Sequence, residues 1–484
     1  MEFDLVVIGS GPAGQKAAIN AAKQGCRVAI VEREPFVGGV CVNTGTIPSK
    51  AMREAVLHLT GYRQRCFYGS SYAVKEAITM SDLNYRTDQV IRTEIDVIRG
   101  DLVRNNVQLF TGHASFVDPH RVQIQGRDGR HEVAGRYILI AVGSKPFRPP
   151  DVPFTAGRII DSDQILQLKT LPRSMLVVGG GVIGVEYACM MAAVGVSVTL
   201  VDKRTRLLEF VDTEIADALQ YHMRDMGVRL RLGEEIAAVG LSDRGVEARL
   251  ASGKRLRVET AMFASGRQGN TDDLNLPAAG LMPDDRGRVK VNEYYQTDVE
   301  HIFAAGDVVG FPALAATSME QGRLATNYML GRVWEERTSL FPLGIYTIPE
   351  ISMVGRTEDE LMKQGVPYET GSARYRETAR GQLIGDLAGM LKLLFHPESR
   401  RLLGIHIIGE GATELIHIGQ TAMAAQMPID YFVSSVFNYP TLAECYRVAA
   451  LEGINRVDKP ETPDDGADAR AEADLPAPEV AAAH

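Results

Sequence analysis

Apolar runs and turn signals follow one another along this chain in a recognisable order, and one order occurs twice. Residues 3–32, FDLVVIGSGPAGQKAAINAAKQGCRVAIVE, begin with an apolar run and pass through Gly9-x-Gly11-x-x-Gly14. An alanine-rich segment follows, stops at Gly25, and gives way to a second apolar run ending on Glu32. The pattern predicts a buried strand, a tight turn, a helix and a second buried strand. Residues 174–202, SMLVVGGGVIGVEYACMMAAVGVSVTLVD, repeat it with Gly179, Gly181, Gly184, Gly195 and Asp202. Each of these positions is displaced from its counterpart by 170 residues. A lone GxGxxG is weak evidence, but here the strand, the helix stop and the terminal acid recur in register.

The other patterns lay out the rest of the chain. Helices with polar faces are predicted across 50–105, above all in YRTDQVIRTEIDVIRGDLVRNN, and strands across 107–142. DVPFTAGRIIDSDQILQL links the two repeat-bearing parts. In HIFAAGDVVGFPALAATSMEQGRLA, residues 301–325, a strand ends at Gly306-Asp307 and a helix is predicted to start near Ala313. From about residue 341 a further unit begins, with LKLLFHPESRRLLGIHIIG as a hairpin and GATELIHIGQTAMAA as an amphipathic helix. The expected divisions are 1–148, 149–265, 266–340 and 341–457. Residues 458–484, rich in Ala, Pro and acids, are expected to be a disordered tail.

Composition narrows the function classes. A chain of 484 residues with 45% apolar and 23% charged residues is that of an ordinary multi-domain globular protein. A net charge of −9 with no long basic stretch argues against a general nucleic-acid or anionic-membrane binder. No apolar run approaches the length of a membrane span, and MEFDLVVIGSG lacks the basic start of a secretory signal. The five cysteines form no CxxC and no metal-site spacing, so no metal is expected and a reducing, cytoplasmic setting is.

Each repeat carries the chemistry of a dinucleotide site. The first glycine permits the tight turn, the second lets the backbone approach a pyrophosphate, and the third lets helix and strand pack closely. The phosphates then lie at a helix N-terminus, where free N–H groups and the dipole favour negative charge. The acids Glu32 and Asp202 accept hydrogen bonds from ribose hydroxyls. Two dinucleotides are therefore expected. Asp307, at the C-terminal end of a strand, is placed to hold a polyol, and the helix start near Ala315 to stabilise negative charge on a reduced ring. Ala141–Ser144, AVGS, returns the chain from the first unit.

Together these motifs resemble the pyridine nucleotide–disulfide oxidoreductase family, over residues 1 to about 457. The resemblance implies an α/β fold: two doubly wound dinucleotide-binding (Rossmann-like) domains plus a C-terminal α+β dimerisation domain, assembled as a homodimer. It implies FAD on Gly9, Gly11, Gly14, Glu32, Gly143, Asp307 and Ala315, within 1–148 and the return segment 266–340. NAD or NADP would lie on Gly179, Gly181, Gly184, Asp202, Lys203, Arg204 and Gly266. Lys50 would stand beside the flavin N5 and pair with Glu186. Tyr439 and Glu444 would complete the partner subunit's site.

The sequence departs from the family's dithiol chemistry at two places. Dithiol exchange needs two sulfurs in reach and a base that makes a thiolate. In GGVCVNTGTIPSK, residues 38–50, Cys41 is present but Thr46 stands where the family has its second cysteine. In FNYPTLAE, Tyr439 replaces the family's histidine base while Glu444 remains. Tyrosine, with a reference pKa of about 10 against about 6.5 for histidine, is a poor base for a thiol at neutral pH. Cys41 is then either a lone redox thiol or a small side chain packed near the flavin.

With the disulfide gone, the resemblance implies an oxidoreductase that moves hydride between NADPH and NAD⁺ through FAD, by alternating use of one nucleotide site. The run VDKRTRLL fits that need, since Asp202 suits a ribose diol while Lys203, Arg204 and Arg206 offer charge for a 2′-phosphate. Lys203 and Arg204 pointing into solvent is the alternative. An NAD(P)H:quinone reductase or diaphorase on the same scaffold is the alternative enzyme. Dihydrolipoamide dehydrogenase is opposed by Thr46 and Tyr439. A non-catalytic dinucleotide sensor is opposed by Lys50, Glu186 and Asp307.

Overall fold

The computed structural model describes residues 1–127, 129–243, 245–332 and 340–458; the predicted tail lies, but for its first residue, outside them. The chain folds as the expected α/β architecture. In the first unit, strands Glu2–Ile8, Val28–Glu32 and Gln108–Thr111 lie parallel. Gly129–Ile140 and Ile302–Ala304 extend the sheet on the other side of Glu2–Ile8. The first half of Gly129–Ile140 also pairs antiparallel with Arg121–Gly126, which pairs with His113–Asp118.

The second unit repeats the plan. Ser174–Val178 lies between Ser197–Asp202 and Thr260–Phe263, with Arg229–Leu232 and Ile159–Asp161 at the edges, all parallel. The repeat extends to register: Leu5 faces Val28 and Ile8 faces Val31, as Met175 faces Val198 and Val178 faces Val201. These strands are buried on both faces, which is why they read as continuous apolar runs.

Short strands Ser144–Pro146 and Arg267–Gly269 pair antiparallel, so the chain enters and leaves the second unit side by side. Arg148 and Arg267 bind Asp161 and Asp163 of that unit, at 2.6 and 3.0 Å.

The C-terminal unit is a five-stranded antiparallel sheet, in the order 343–345, 351–355, 402–408, 390–395, 369–374. Helices Ala412–Ala424 and Glu444–Val457 complete its core. Lys392, buried on this sheet, reaches into the second unit to meet Asp212 at 3.0 Å and Glu214 at 3.2 Å, and also binds Glu358.

Two helix expectations shift. The stretch 69–79 is not helical and separates the helix ending at Tyr68 from Met80–Arg104. The helix expected near Ala313 begins at Ala315, because Leu314 is extended and its N–H is taken by the Thr317 hydroxyl. No helix among the described residues is long and apolar enough to cross a membrane.

Candidate active site

The three glycines of each repeat serve different ends. Gly9 and Gly179 take φ of +105° and +111°, which side chains rarely adopt. A Cβ on Gly14 would lie 2.0 Å from the Gly9 carbonyl oxygen, and one on Gly184 1.8 Å from that of Gly179. Helix-to-strand packing therefore demands those two. At Gly11 and Gly181 a Cβ would meet no described atom within 4 Å. Those two glycines keep space open outside the chain. Both cap helices (Pro12–Lys23 and Val182–Ala193) without a side-chain hydrogen bond, leaving first-turn N–H groups for an anion.

Gly181→Val is accordingly expected to fold normally, with a melting temperature close to the parent's. KM for a dinucleotide that seats its pyrophosphate at this turn should rise by about tenfold or more, as the side chain fills the open space. Calorimetry and steady-state kinetics measure the two effects separately.

A cavity of about 450 Å³ runs along the first repeat. Gly9, Gly11, Glu32, Cys41, Thr46, Gly143, Asp307 and Ala315 all line it, whereas Gly14 and Lys50 do not. Glu32 is fixed at its edge: it accepts the Ser10 N–H at 3.0 Å, the Ser10 hydroxyl at 2.6 Å and the Glu34 N–H at 3.0 Å. Asp307 accepts the Ser144 hydroxyl at 2.7 Å. Arg267 donates to that same hydroxyl at 2.8 Å and to Asp163 at 3.0 Å. Sequence reasoning missed Ser10, Ser144, Arg267 and Asp163. Only Ser144 carried a signal, its place in AVGS. A cavity lined by an open glycine turn, by the Glu32 carboxylate and by Asp307 fits a flavin dinucleotide.

Lys50, on helix Thr46–Leu59, places its ammonium 2.8 and 3.0 Å from the two carboxylate oxygens of Glu186. Glu186 sits buried on the second nucleotide helix and also accepts the Tyr346 N–H at 2.8 Å. The Tyr346 ring lies 4.7 Å from the Lys50 ammonium, a cation–π contact. Lys50 is thus held from both sides by different units of the chain. Tyr346 had no sequence signal.

Cys41 and Thr46 both line the cavity along the first repeat. Burial pushes the Cys41 thiol above its usual range, only partly opposed by the Thr46 hydroxyl. The thiol is therefore protonated at neutral pH. Tyr439 is 72% exposed and, like Glu444, does not line the cavity. One buried Glu444 carboxylate oxygen has no hydrogen-bond partner among the described residues.

At the second repeat, Asp202 accepts the Gly180 N–H and the Arg204 N–H, the latter at 2.8 Å. The Arg204 guanidinium folds back onto the same carboxylate, with Nε at 2.9 Å and Nη2 at 2.7 Å. Burial alone would raise the Asp202 pKa, but these hydrogen bonds outweigh it and hold the group below the usual range. Lys203 is exposed. Arg206, expected to offer charge to a phosphate, is instead held by Asp359 at 3.2 Å and by Thr213, because the helix at Glu358 packs against it. Gly266, at φ +113°, leaves strand Thr260–Phe263 with no described atom within 4 Å of a Cβ.

Comparison with known proteins finds matches along most of the chain. Residues 3–322 match the model of the pyridine nucleotide-disulphide oxidoreductases, and residues 341–450 that of their dimerisation domain. The chain is 56% identical over 458 residues to the soluble pyridine nucleotide transhydrogenase of Mycobacterium tuberculosis, covering 94% of this chain and 98% of that one. It is 46% identical over 461 residues to the enzyme of that name from Colwellia psychrerythraea, covering 94% and 99%. Among solved structures it is similar to the HOCl-induced flavoprotein disulfide reductase RclA from Escherichia coli as its Cu(II) complex, with a TM-score of 0.85 at 27% identity over 93% of this chain and 99% of that one. LpdA from Mycobacterium tuberculosis is matched with a TM-score of 0.85 at 26% identity, over 92% and 99%.

Proposed function

From its membership of the pyridine nucleotide-disulphide oxidoreductase family, to which this chain belongs, we infer that the protein is a soluble pyridine nucleotide transhydrogenase, exchanging hydride between NADPH and NAD⁺. FAD, when bound, supplies a two-electron acceptor that one nicotinamide reduces and another reoxidises. The observation that carries the reading is that Cys41 shares the cavity wall with Thr46, a residue that offers it no sulfur with which to pair, while burial pushes the thiol up. Electrons have no dithiol relay to enter.

The chain's own residues have distinct tasks in this reading. Gly11 and the N-terminus of Pro12–Lys23 seat the pyrophosphate of FAD, Glu32 its ribose, and Asp307 with Ser144 its ribitol. Lys50 provides a fixed positive charge toward the reacting ring, and Glu186 keeps it charged and oriented. Gly181 and the N-terminus of Val182–Ala193 seat the pyrophosphate of the nicotinamide nucleotide. Binding of the remote adenosine half brings the ring to the reaction centre. The exposed Val436 and Tyr439 lie in the C-terminal unit that matches the dimerisation domain, and we read the working form as a homodimer.

The test is anaerobic. The purified yellow protein is reduced with NADPH and then mixed separately with thio-NAD⁺, lipoamide or a quinone. Rapid reoxidation by thio-NAD⁺, and none by lipoamide, is expected. Reoxidation by the quinone alone would make the protein a quinone reductase instead.

A further inference from the structure

We propose that Arg204 is a displaceable internal counterion: seated on Asp202 it lets the second nucleotide site accept a 2′-phosphate, and swung away it frees Asp202 for a 2′-hydroxyl. The proposal rests on the reading that this one site takes both nucleotides in turn.

The argument begins with the acceptor capacity of a carboxylate, about four hydrogen bonds. Asp202 already receives four, two from backbone N–H groups and two from the Arg204 guanidinium. A ribose diol cannot be added to a filled acceptor. It can replace the guanidinium, because that side chain vacates two positions, one for each hydroxyl. The backbone donors need not move.

The first repeat serves as an internal control. Among the described residues Glu32 receives three hydrogen bonds, from Ser10 N–H, the Ser10 hydroxyl and Glu34 N–H, and none from a charged side chain. The residue 170 positions before Arg204 is Glu34. Its backbone N–H bonds Glu32 as that of Arg204 bonds Asp202, but its side chain has nothing to donate. The two loops thus share a backbone device and differ in the side chain that plugs the acid. A site for one dinucleotide needs no plug; a site that must alternate does.

The seated state also suits a phosphate. Of the five guanidinium N–H groups, Asp202 engages two, leaving three for an anion. The side chain is 33% exposed, so an incoming group can reach it. Asp202 is buried and the guanidinium half of the pair faces water, so Arg204 is the partner that can leave while a diol takes its place on the carboxylate. The neighbouring cation Arg206 is committed to Asp359 and Thr213.

The experiment is stopped-flow reduction of the flavin in the holoenzyme over a range of NADPH or NADH concentrations, for the parent, Arg204→Ala and Arg204→Gln. Retained flavin absorbance checks folding. For both variants the apparent Kd of NADPH should rise by about 10- to 100-fold, the cost of removing a charge partner. That of NADH should fall by about threefold or more, because the internal competitor is gone. Competition by 2′,5′-ADP should weaken, and that by 5′-AMP strengthen. An unchanged or raised Kd for NADH would reduce Arg204 to an ordinary phosphate ligand and overturn the proposal, as would an NADPH Kd within twofold of the parent's. Reduction of the parent by only one nucleotide would instead defeat the shared-site reading. The two failures are therefore distinct.

Discussion

Replacing Lys50 with methionine is expected to slow reduction of the flavin by NADPH and by NADH by about 10²- to 10³-fold, with the flavin still bound. That loss corresponds to roughly 3–4 kcal/mol of transition-state stabilisation. It follows from a charge held in place by a buried carboxylate at 2.8 and 3.0 Å and by the Tyr346 ring at 4.7 Å. Such a charge costs no reorganisation when the ring becomes negative. The methionine variant leaves Glu186 buried with only the Tyr346 N–H, and that alone destabilises the fold by about 3–5 kcal/mol. The double variant Lys50→Met with Glu186→Gln removes the orphaned charge. It should regain thermal stability and none of the rate. Reduction of Lys50→Met at the parent's rate would show that the ammonium plays no part in hydride transfer.

Thr46→Cys is expected to change how many electrons the protein holds. The parent should be fully reduced by two electron equivalents per subunit, supplied by one molecule of dithionite. The variant should take up four, because a sulfur at 46 would share the cavity wall with the Cys41 thiol and pair with it. Two thiols then form one disulfide with loss of two electrons and two protons. Lipoamide should still reoxidise it slowly, since Tyr439 remains a poor base with a reference pKa of about 10. Adding Tyr439→His should raise that rate. An uptake of two equivalents by Thr46→Cys would mean that positions 41 and 46 do not meet in the working protein.

Much of the fold was legible in the sequence because the signals are local. A strand, a glycine turn, a helix stop and a terminal acid lie within thirty or so neighbouring residues, and their spacing carries the pairing register with it. Leu5 on Val28 and Met175 on Val198 follow from that spacing alone. The contacts that were not legible join distant residues or depend on a choice between partners. Tyr346 reaches Lys50 across the whole second unit, and no pattern near either residue announces it. Arg267 binds Ser144 because two crossing strands happen to pair there. For Arg204 the sequence left a 2′-phosphate or solvent open, and nothing near it announced Asp202 as its seat. The carboxylate two residues away won because its bidentate geometry closes a compact ring within the turn. Arg206, two residues further on, was drawn instead to an acid of the C-terminal unit.

The antiparallel pairing of Ser144–Pro146 with Arg267–Gly269 has an evolutionary consequence. A stretch of chain whose two ends depart through one narrow doorway can be cut out or swapped as a cassette without re-threading its host. The sutures to carry across include Arg148 with Asp161, Arg267 with Asp163, Lys50 with Glu186, Lys392 with Asp212, and Arg206 with Asp359. Nucleotide preference is then a property that can be transplanted whole, while the flavin chassis stays as it is.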